Sequence, residues 1–499
     1  MSESANRAAA TPGQPQIRYA SPAGRGLITA TVLGSGVAFL DGSVVNVALP
    51  AIGRDLDVGF SVLQWVLDGY LLTLSALLMF GGALGDHYGR RRIFVIGLVI
   101  FTLASLGCGL APNGTILIMA RIVQGVGGAL LVPGSLAMIN ATVHPDDRGR
   151  AIGTWAGFTG VASAIGPFVG GWLVDAASWR LVFFINLPIA VAAMIATIRS
   201  VPENKDAAAT GRPDVLGAAA ITAGLTGILI PLIEAPVRGW TPFLITCAIA
   251  GVGALIAFIL IERRQADPLL PVTLFRSRQF TGANITTLAV YGALGGALFL
   301  LAFQLQLSMG YSATEAGLAT LPTTVIMLLL SGRIGGLAQR TGPRLPMTIG
   351  PVVAGIGLTL LIMAQPGRGY LPGVLPGVTV LGLGLAITVA PLTSAVLAVD
   401  EDHVGAASGT NNAVSRLAGM LAVAILPAVS GIDMSSEQAL GSGFATAMAI
   451  SAVLCGLGGL TAALTIRRAA PAAAHSLPAV NAGCQDPCTR VETPSSRHG

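Results

Sequence analysis

The chain has 499 residues, 53% hydrophobic and only 10% charged, with a net charge of +5. A soluble domain carries about 25% charged residues. No soluble core hides this much apolar surface, so the composition excludes an ordinary soluble enzyme or binding module and points to a lipid-facing chain. The excess positive charge is no nucleic-acid signature, because it follows the spacing of the apolar segments.

Residues 1–26 are polar and hold Arg7, Arg18 and Arg25. The apolar run that follows is too long for a signal-peptide core and lacks an obvious cleavage site, so it is expected to be an uncleaved first spanner. A spanning helix takes about 20 mostly apolar residues. Fourteen such runs follow one another: 27–49, 62–84, 93–111, 115–139, 151–174 and 181–197; then 215–233 and 242–261; then 281–305, 313–330, 346–363, 371–390, 411–429 and 443–466. Runs of this length argue against a β-barrel. The expected organisation is an N-terminal tail (1–26), a six-helix bundle (27–199), a linker (200–214), an extra helix pair (215–262), a second linker (263–280), a second six-helix bundle (281–468) and a disordered tail (469–499).

Loops on the cytoplasmic side carry excess Lys and Arg. With the N-terminus inside, only Arg54, Arg180, Arg238 and Arg368 of the 28 basic residues fall in outer segments, and Arg121 and Arg416 fall within spanners. That alternation supports an even number of spans and two cytoplasmic termini. Residues 82–92, after the second spanner, and 332–344, after the tenth, are both read as short, Gly-rich, basic loops. Their equivalent places suggest a repeat of six spanners on either side of the extra pair, and transporters built from such repeats bind substrate between the halves near mid-membrane.

Cys108, Cys247 and Cys455 lie in apolar runs and act as small hydrophobes, while Cys484 and Cys488 lie in the tail without a zinc pattern. There is no phosphate loop for ATP and no hydrolase signature.

The polar residues inside the spanners carry the chemistry. Asp41 and Asn46 lie in LDGSVVNVALP (40–50), late in the first run, and Asp68 lies in QWVLDGY (64–70), early in the second. Arg121 and Gln124 lie in RIVQGVGGA (121–129). A rise of 1.5 Å per residue puts Asp41 about 12 Å, and Asp68 and Arg121 each about 9 Å, from the outer helix ends. Acids inside apolar helices face cavities or pair with charges, and a carboxyl group withdrawn from water exchanges its proton nearer neutral pH. An unpaired guanidinium at this depth is costly, so a carboxylate partner is expected for Arg121. Blander roles are also open: a packing Asp41, an Asp68 facing external water, and a static Arg121 ion pair. The inner segment GALGDHYGRRR (82–92) holds Gly82, Asp86, Gly89, Arg90 and Arg91, with Asp86 placed to cap a helix or pair with Arg, or merely to share in topology anchoring. The fifth run holds Gly153, Gly157 and Gly160, then Gly166, Pro167, Gly170 and Gly171. Glycines four apart let helices approach, and proline favours a bend.

These motifs resemble the major facilitator superfamily, specifically its fourteen-spanner drug:proton antiporters, over roughly residues 27–467. His87 departs from the pattern, which usually has a permanently basic residue there. The resemblance implies an all-α membrane protein, with two six-helix bundles and two extra central helices, in a bacterial plasma membrane. It implies export of hydrophobic or cationic drug-like molecules or antibiotics, driven by the proton gradient, with no cofactor, no metal, no nucleic acid and a monomeric working unit. Asp41, Asp68 and Arg121 would couple protons, with Arg121 setting a neighbouring carboxyl rather than carrying the proton. Asn46, Gln124, Asn411 and Asn412 would line the substrate cavity, and Gly166, Pro167, Gly170 and Gly171 would form a seal or hinge. SWRLVFFINLP (178–188) also matches, with an expected structural role; Glu234 and Trp240 are expected to be exposed. The competing readings are an importer of a small nutrient on the same fold, which the fifth spanner opposes, and a membrane sensor or scaffold, which the lack of a sizeable soluble domain opposes.

Overall fold

A computed structural model describes residues 17–205, 213–265, 268–399, 404–432 and 440–467. The expected tail 469–499, with Cys484 and Cys488, and most of the N-terminal tail lie outside the described residues. Among those described, fourteen helices are long and apolar enough to cross a membrane. They are α1 (Pro22–Leu56), α2 (Phe60–Tyr88), α3 (Arg90–Gly109), α4 (Gly114–Thr142), α5 (Pro145–Ala176), α6 (Leu181–Ser200), α7 (Val215–Arg238), α8 (Pro242–Glu262), α9 (Arg278–Ser308), α10 (Ala313–Ala338), α11 (Arg344–Leu361), α12 (Leu375–Val396), α13 (Gly405–Val429) and α14 (Gly441–Thr465). Each of the fourteen apolar runs became one of these helices.

Polar caps carry several helices past their apolar runs. Ser21 accepts from Gly24 N and Pro22 opens the first turn, so α1 reaches 35 residues, about 50 Å. The chain before it is clipped to the α4–α5 junction, where Tyr19 N donates to Asp147 and the Ile17 N–H donates to Thr142 O. α12 starts later than its apolar run because Tyr370–Gly373 forms a separate turn and Pro376 sits in the first turn after it.

The two basic loops are a correction. α2 runs to Tyr88 and α3 starts at Arg90, with only Gly89 between them at φ 107°, a conformation that favours glycine. The Glu203 carboxylate accepts from Arg91 N and Arg92 N, and Asn204 O accepts from Arg90 N. The start of the 200–214 linker thus caps α3, and Asp86 pairs with Arg90 at 2.8 Å. Residues 332–341 are likewise helical, continuing α10 to Thr341. At α3 the cap comes from distant sequence, whereas at the second segment the helix ends on the local Gly342 N–H to Ala338 O bond.

Packing repeats with a shift of eight helices. The pairs α1–α5, α1–α6, α2–α4, α3–α4 and α3–α6 recur as α9–α13, α9–α14, α10–α12, α11–α12 and α11–α14. Across the halves, α2 packs on α13 and α5 packs on α10, two contacts that also exchange under the shift. The extra pair breaks this symmetry. α7 lies on both α2 and α13 and covers that seam, with α8 behind it. Glu234 is a second correction: it is largely buried and accepts from Trp65 Nε1 at 2.9 Å, tying α7 to α2, while Trp240 is exposed.

Candidate functional site

The first half encloses a buried polar cluster. Asp41 on α1 and Arg121 on α4 are fully buried, with Arg121 Nη1 2.5 Å from Asp41 Oδ2. Gln124 Nε2 donates to Asp41 Oδ1 at 2.9 Å and to Ser105 Oγ at 2.7 Å, and its Oε1 accepts from Arg121 Nη1. Asn186 Nδ2 also donates to Asp41 Oδ1, at 2.9 Å. Arg121 Nε donates to Val66 O, and the guanidinium lies 4.2 Å from the centre of the Tyr70 ring. This packing needs α4 close to α2 and α3. At Gly125 a β-carbon would strike Tyr70 O, and at Gly127 it would strike the Phe101 backbone.

Asp68 stands apart from this cluster. It is fully buried, and neither carboxylate oxygen has a hydrogen-bond partner among the described residues. It shares a face of α2 with Gln64 and Leu72, one turn to either side. Gln64 Nε2 donates to Val423 O of α13 at 2.7 Å, and Leu72 packs with Met420 and Ala424 of α13. Asp68 therefore belongs to the face where the two halves meet, and the alternative of an Asp68 facing external water does not hold.

One cavity of about 650 Å³ opens between the halves at the end carrying Asp86. Its polar wall includes Asp86, His87, Arg90, Asn140, Asp214 and Asn412, and Gly82 also lines it. Of the four expected cavity residues, Asn412 alone is in this wall. Asn46 bonds back to Gly42 O, and Gln124 belongs to the Asp41 cluster. Asn411 turns into the second half, toward Asn284 and Thr287. Arg416, one turn beyond Asn412, donates to Asn412 Oδ1 at 3.1 Å and reaches the Phe39 ring of α1.

The opposite end is sealed. A β-carbon at Gly171 would meet the Ala313 backbone of α10, and one at Gly317 would meet Pro167 O of α5. Gly166 and Gly170 instead seat α5 against Ser43 and Val44 of α1. The short motif thus packs two faces of α5 at once. Gly153, Gly157 and Gly160 do not support the expected close approach, because nothing lies within 4 Å of their β-carbon positions. Gln306 Nε2 donates to Val47 O at 2.9 Å, and Phe60 packs on Phe299 and Phe303. Asp175 of α5 caps α10, accepting from Ala313 N at 3.2 Å and Thr314 N at 2.7 Å. Losing a cap of this kind costs about 1 kcal/mol, less where water replaces it. Asp175→Ala is expected to raise thiol-reagent labelling of a Thr314→Cys probe about twofold to fivefold, and unchanged labelling would show that the cap does not hold the seal.

The sequence profile of the Major Facilitator Superfamily matches residues 31–423. The chain belongs to the major facilitator superfamily. A probable actinorhodin transporter of Streptomyces coelicolor is 36% identical to it over 78% of this chain and 69% of that protein. The multidrug resistance protein Stp of Mycobacterium tuberculosis is 35% identical over 82% and 76% of the two chains, and a methylenomycin A resistance protein of Bacillus subtilis is 33% identical over 86% and 92%. Among solved structures, the peptide transporter POT in complex with sulfate shares the fold at TM-score 0.65 and 15% identity, covering 90% of this chain and 96% of that one. A bacterial homolog of the human lysosomal transporter Spinster does so at TM-score 0.65 and 17% identity, covering 91% and 100%. This superfamily transporter is thus a multi-pass membrane protein whose sequence relatives include antibiotic and multidrug resistance proteins.

Sequence reasoning missed Asn186, which is read as part of a structural motif but contacts Asp41. The available signal was a lone amide within an apolar run. Glu203 and Asp175 were missed because neither capping contact is local in sequence.

Proposed function

We propose that the protein exports hydrophobic or cationic drug-like molecules, antibiotics among them, across a bacterial plasma membrane in exchange for protons. It works as a monomer with both termini in the cytoplasm. The bias of basic residues toward one side supports placing the open cavity on the cytoplasmic side and the seal outside. Substrate enters the cavity from the cytoplasm or inner leaflet, and the halves rock to expose it outside. Closing the inner end would bring helices onto Gly153, Gly157 and Gly160, which gives that glycine run a use in the other state.

The observation that carries the reading is Asp68, a buried carboxyl group without a partner on the face where the halves meet. An unpartnered carboxylate anion is costly to bury. Closure of the outer end over Asp68 therefore goes with a bound proton taken from outside, and opening allows its exchange. Asp41 and Arg121 form the second part of the coupling machinery, with Arg121 keeping its charge and holding the Asp41 carboxyl in place. Substrate and proton then bias opposite orientations of the halves.

The test is efflux of a lipophilic fluorescent cation from energised cells. The wild type is expected to extrude dye, a protonophore to stop it, and Asp68→Asn to lower the rate at least about tenfold at normal membrane levels. Extrusion that continues at full rate in protonophore overturns proton coupling. Dye accumulation above that of cells lacking the protein overturns the direction.

A further inference from the structure

The extra helix pair carries an acidic site of its own at the open end. Asp214 precedes α7 and Glu262 ends α8, and they are 5% and 2% exposed. One oxygen of each is engaged by backbone. Gly217 N donates to Asp214 Oδ1 at 2.7 Å, and Leu270 N donates to Glu262 Oε2 at 2.9 Å. The other two oxygens, Asp214 Oδ2 and Glu262 Oε1, have no donor among the described residues. Both press on the same bare spot, where a β-carbon on Gly217 would meet them, and the two carboxyl groups are within hydrogen-bonding reach of each other.

Two acceptor oxygens facing each other in a buried site repel when both groups are ionised. One proton between them turns that repulsion into a charge-assisted O–H···O bond. Among the described residues, no donor neutralises the two free oxygens. Arg263 and Arg264 are exposed. Asp86, His87 and Arg90 face the cavity from the ends of α2 and α3, while Asp214, Pro268 and Leu269 form part of its remaining wall. We propose that Asp214 and Glu262 together bind a single proton, distinct from any at Asp41 or Asp68, and that this shared proton clips the segment from Pro268 to Leu270 into the cavity wall. When the proton leaves, the carboxylates separate and the wall segment loosens. The mouth of the cavity thereby responds to pH on its own side.

Hydrogen–deuterium exchange on the purified full-length protein tests this without any transport assay, so its outcome is independent of the export reading. The peptide containing Leu269 and Leu270 is followed from about pH 6 to about pH 9, with protection corrected for intrinsic exchange. Wild-type protection is expected to fall at least about tenfold across that range. In Glu262→Gln the amide donates permanently to Asp214, and protection is expected to stay high and flat. Asp214→Asn makes the same test from the other side should the first variant fold poorly. A flat wild-type profile, or the same step in both variants, overturns the shared proton. Protection retained at high pH in sodium but lost in choline would assign the site to a metal cation instead, which also overturns it.

Discussion

Asp41→Asn is expected to abolish proton-driven efflux and to lower the stability of the purified protein. The substitution keeps the shape of the side chain but removes the charge that balances Arg121, whose guanidinium is fully enclosed. Removing one partner of a buried ion pair costs about 3–5 kcal/mol, mostly because the other charge is left uncompensated. Loss of transport in the single variant would therefore not separate coupling from folding. The double variant Asp41→Asn with Arg121→Gln does separate them. It removes both charges and leaves amides able to bond with Gln124 and Asn186, so thermal stability should recover most of the lost margin. Efflux should not recover. A double variant that pumps at the wild-type rate would show that the pair only holds α1 to α4 and that coupling resides elsewhere.

Gly171→Val should open the sealed end. A β-carbon at this position meets the backbone of Ala313 and the Cα of Thr314, neither of which can turn aside as a flexible side chain would. Overpacking of this kind costs about 1–3 kcal/mol. Charged to the sealed state alone, that is about a 5- to 150-fold shift toward the separated arrangement. Labelling of a Thr314→Cys probe by a membrane-impermeant reagent should rise accordingly, and efflux should collapse because the outer end no longer closes. Gly253→Val supplies the comparison: it lies on an exposed part of α8 with nothing within 4 Å, and it should change neither readout. Equal labelling of Gly171→Val and wild type would mean that α5 and α10 slide past the added bulk, and the seal would have to rest on Gln306 and the Phe60 cluster.

The two corrections at helix ends have one origin. Residues 82–92 and 332–344 look like loops because glycine and arginine dominate them, yet each is almost wholly helical. At the first, the backbone N–H groups left over at the start of α3 are satisfied by Glu203 and Asn204, more than a hundred residues away. Glu234 was misplaced for a related reason. Its neighbours in sequence are those of an exposed turn, and only the docking of α7 on α2 brings Trp65 to it.

The sequence by itself determined the fourteen spans and the need of Arg121 for a carboxylate. Hydrocarbon leaves no other home for runs of this length or for a lone guanidinium, and both constraints act within a single helix. The tertiary structure decided which acid serves Arg121. Asp41 and Asp68 have similar depths, and only the packing of α1 beside α4 joins Asp41 to Arg121 while leaving Asp68 on the face that meets α13. It also decided that Gln124 bonds Asp41 instead of lining a cavity, that Asn186 joins it there, that Gly171 seals while Gly157 faces open space, and that Asp214 and Glu262 share one buried corner. Each of these depends on which helix faces meet, and a helix's own sequence fixes its buried stripe more firmly than the partner that stripe will find.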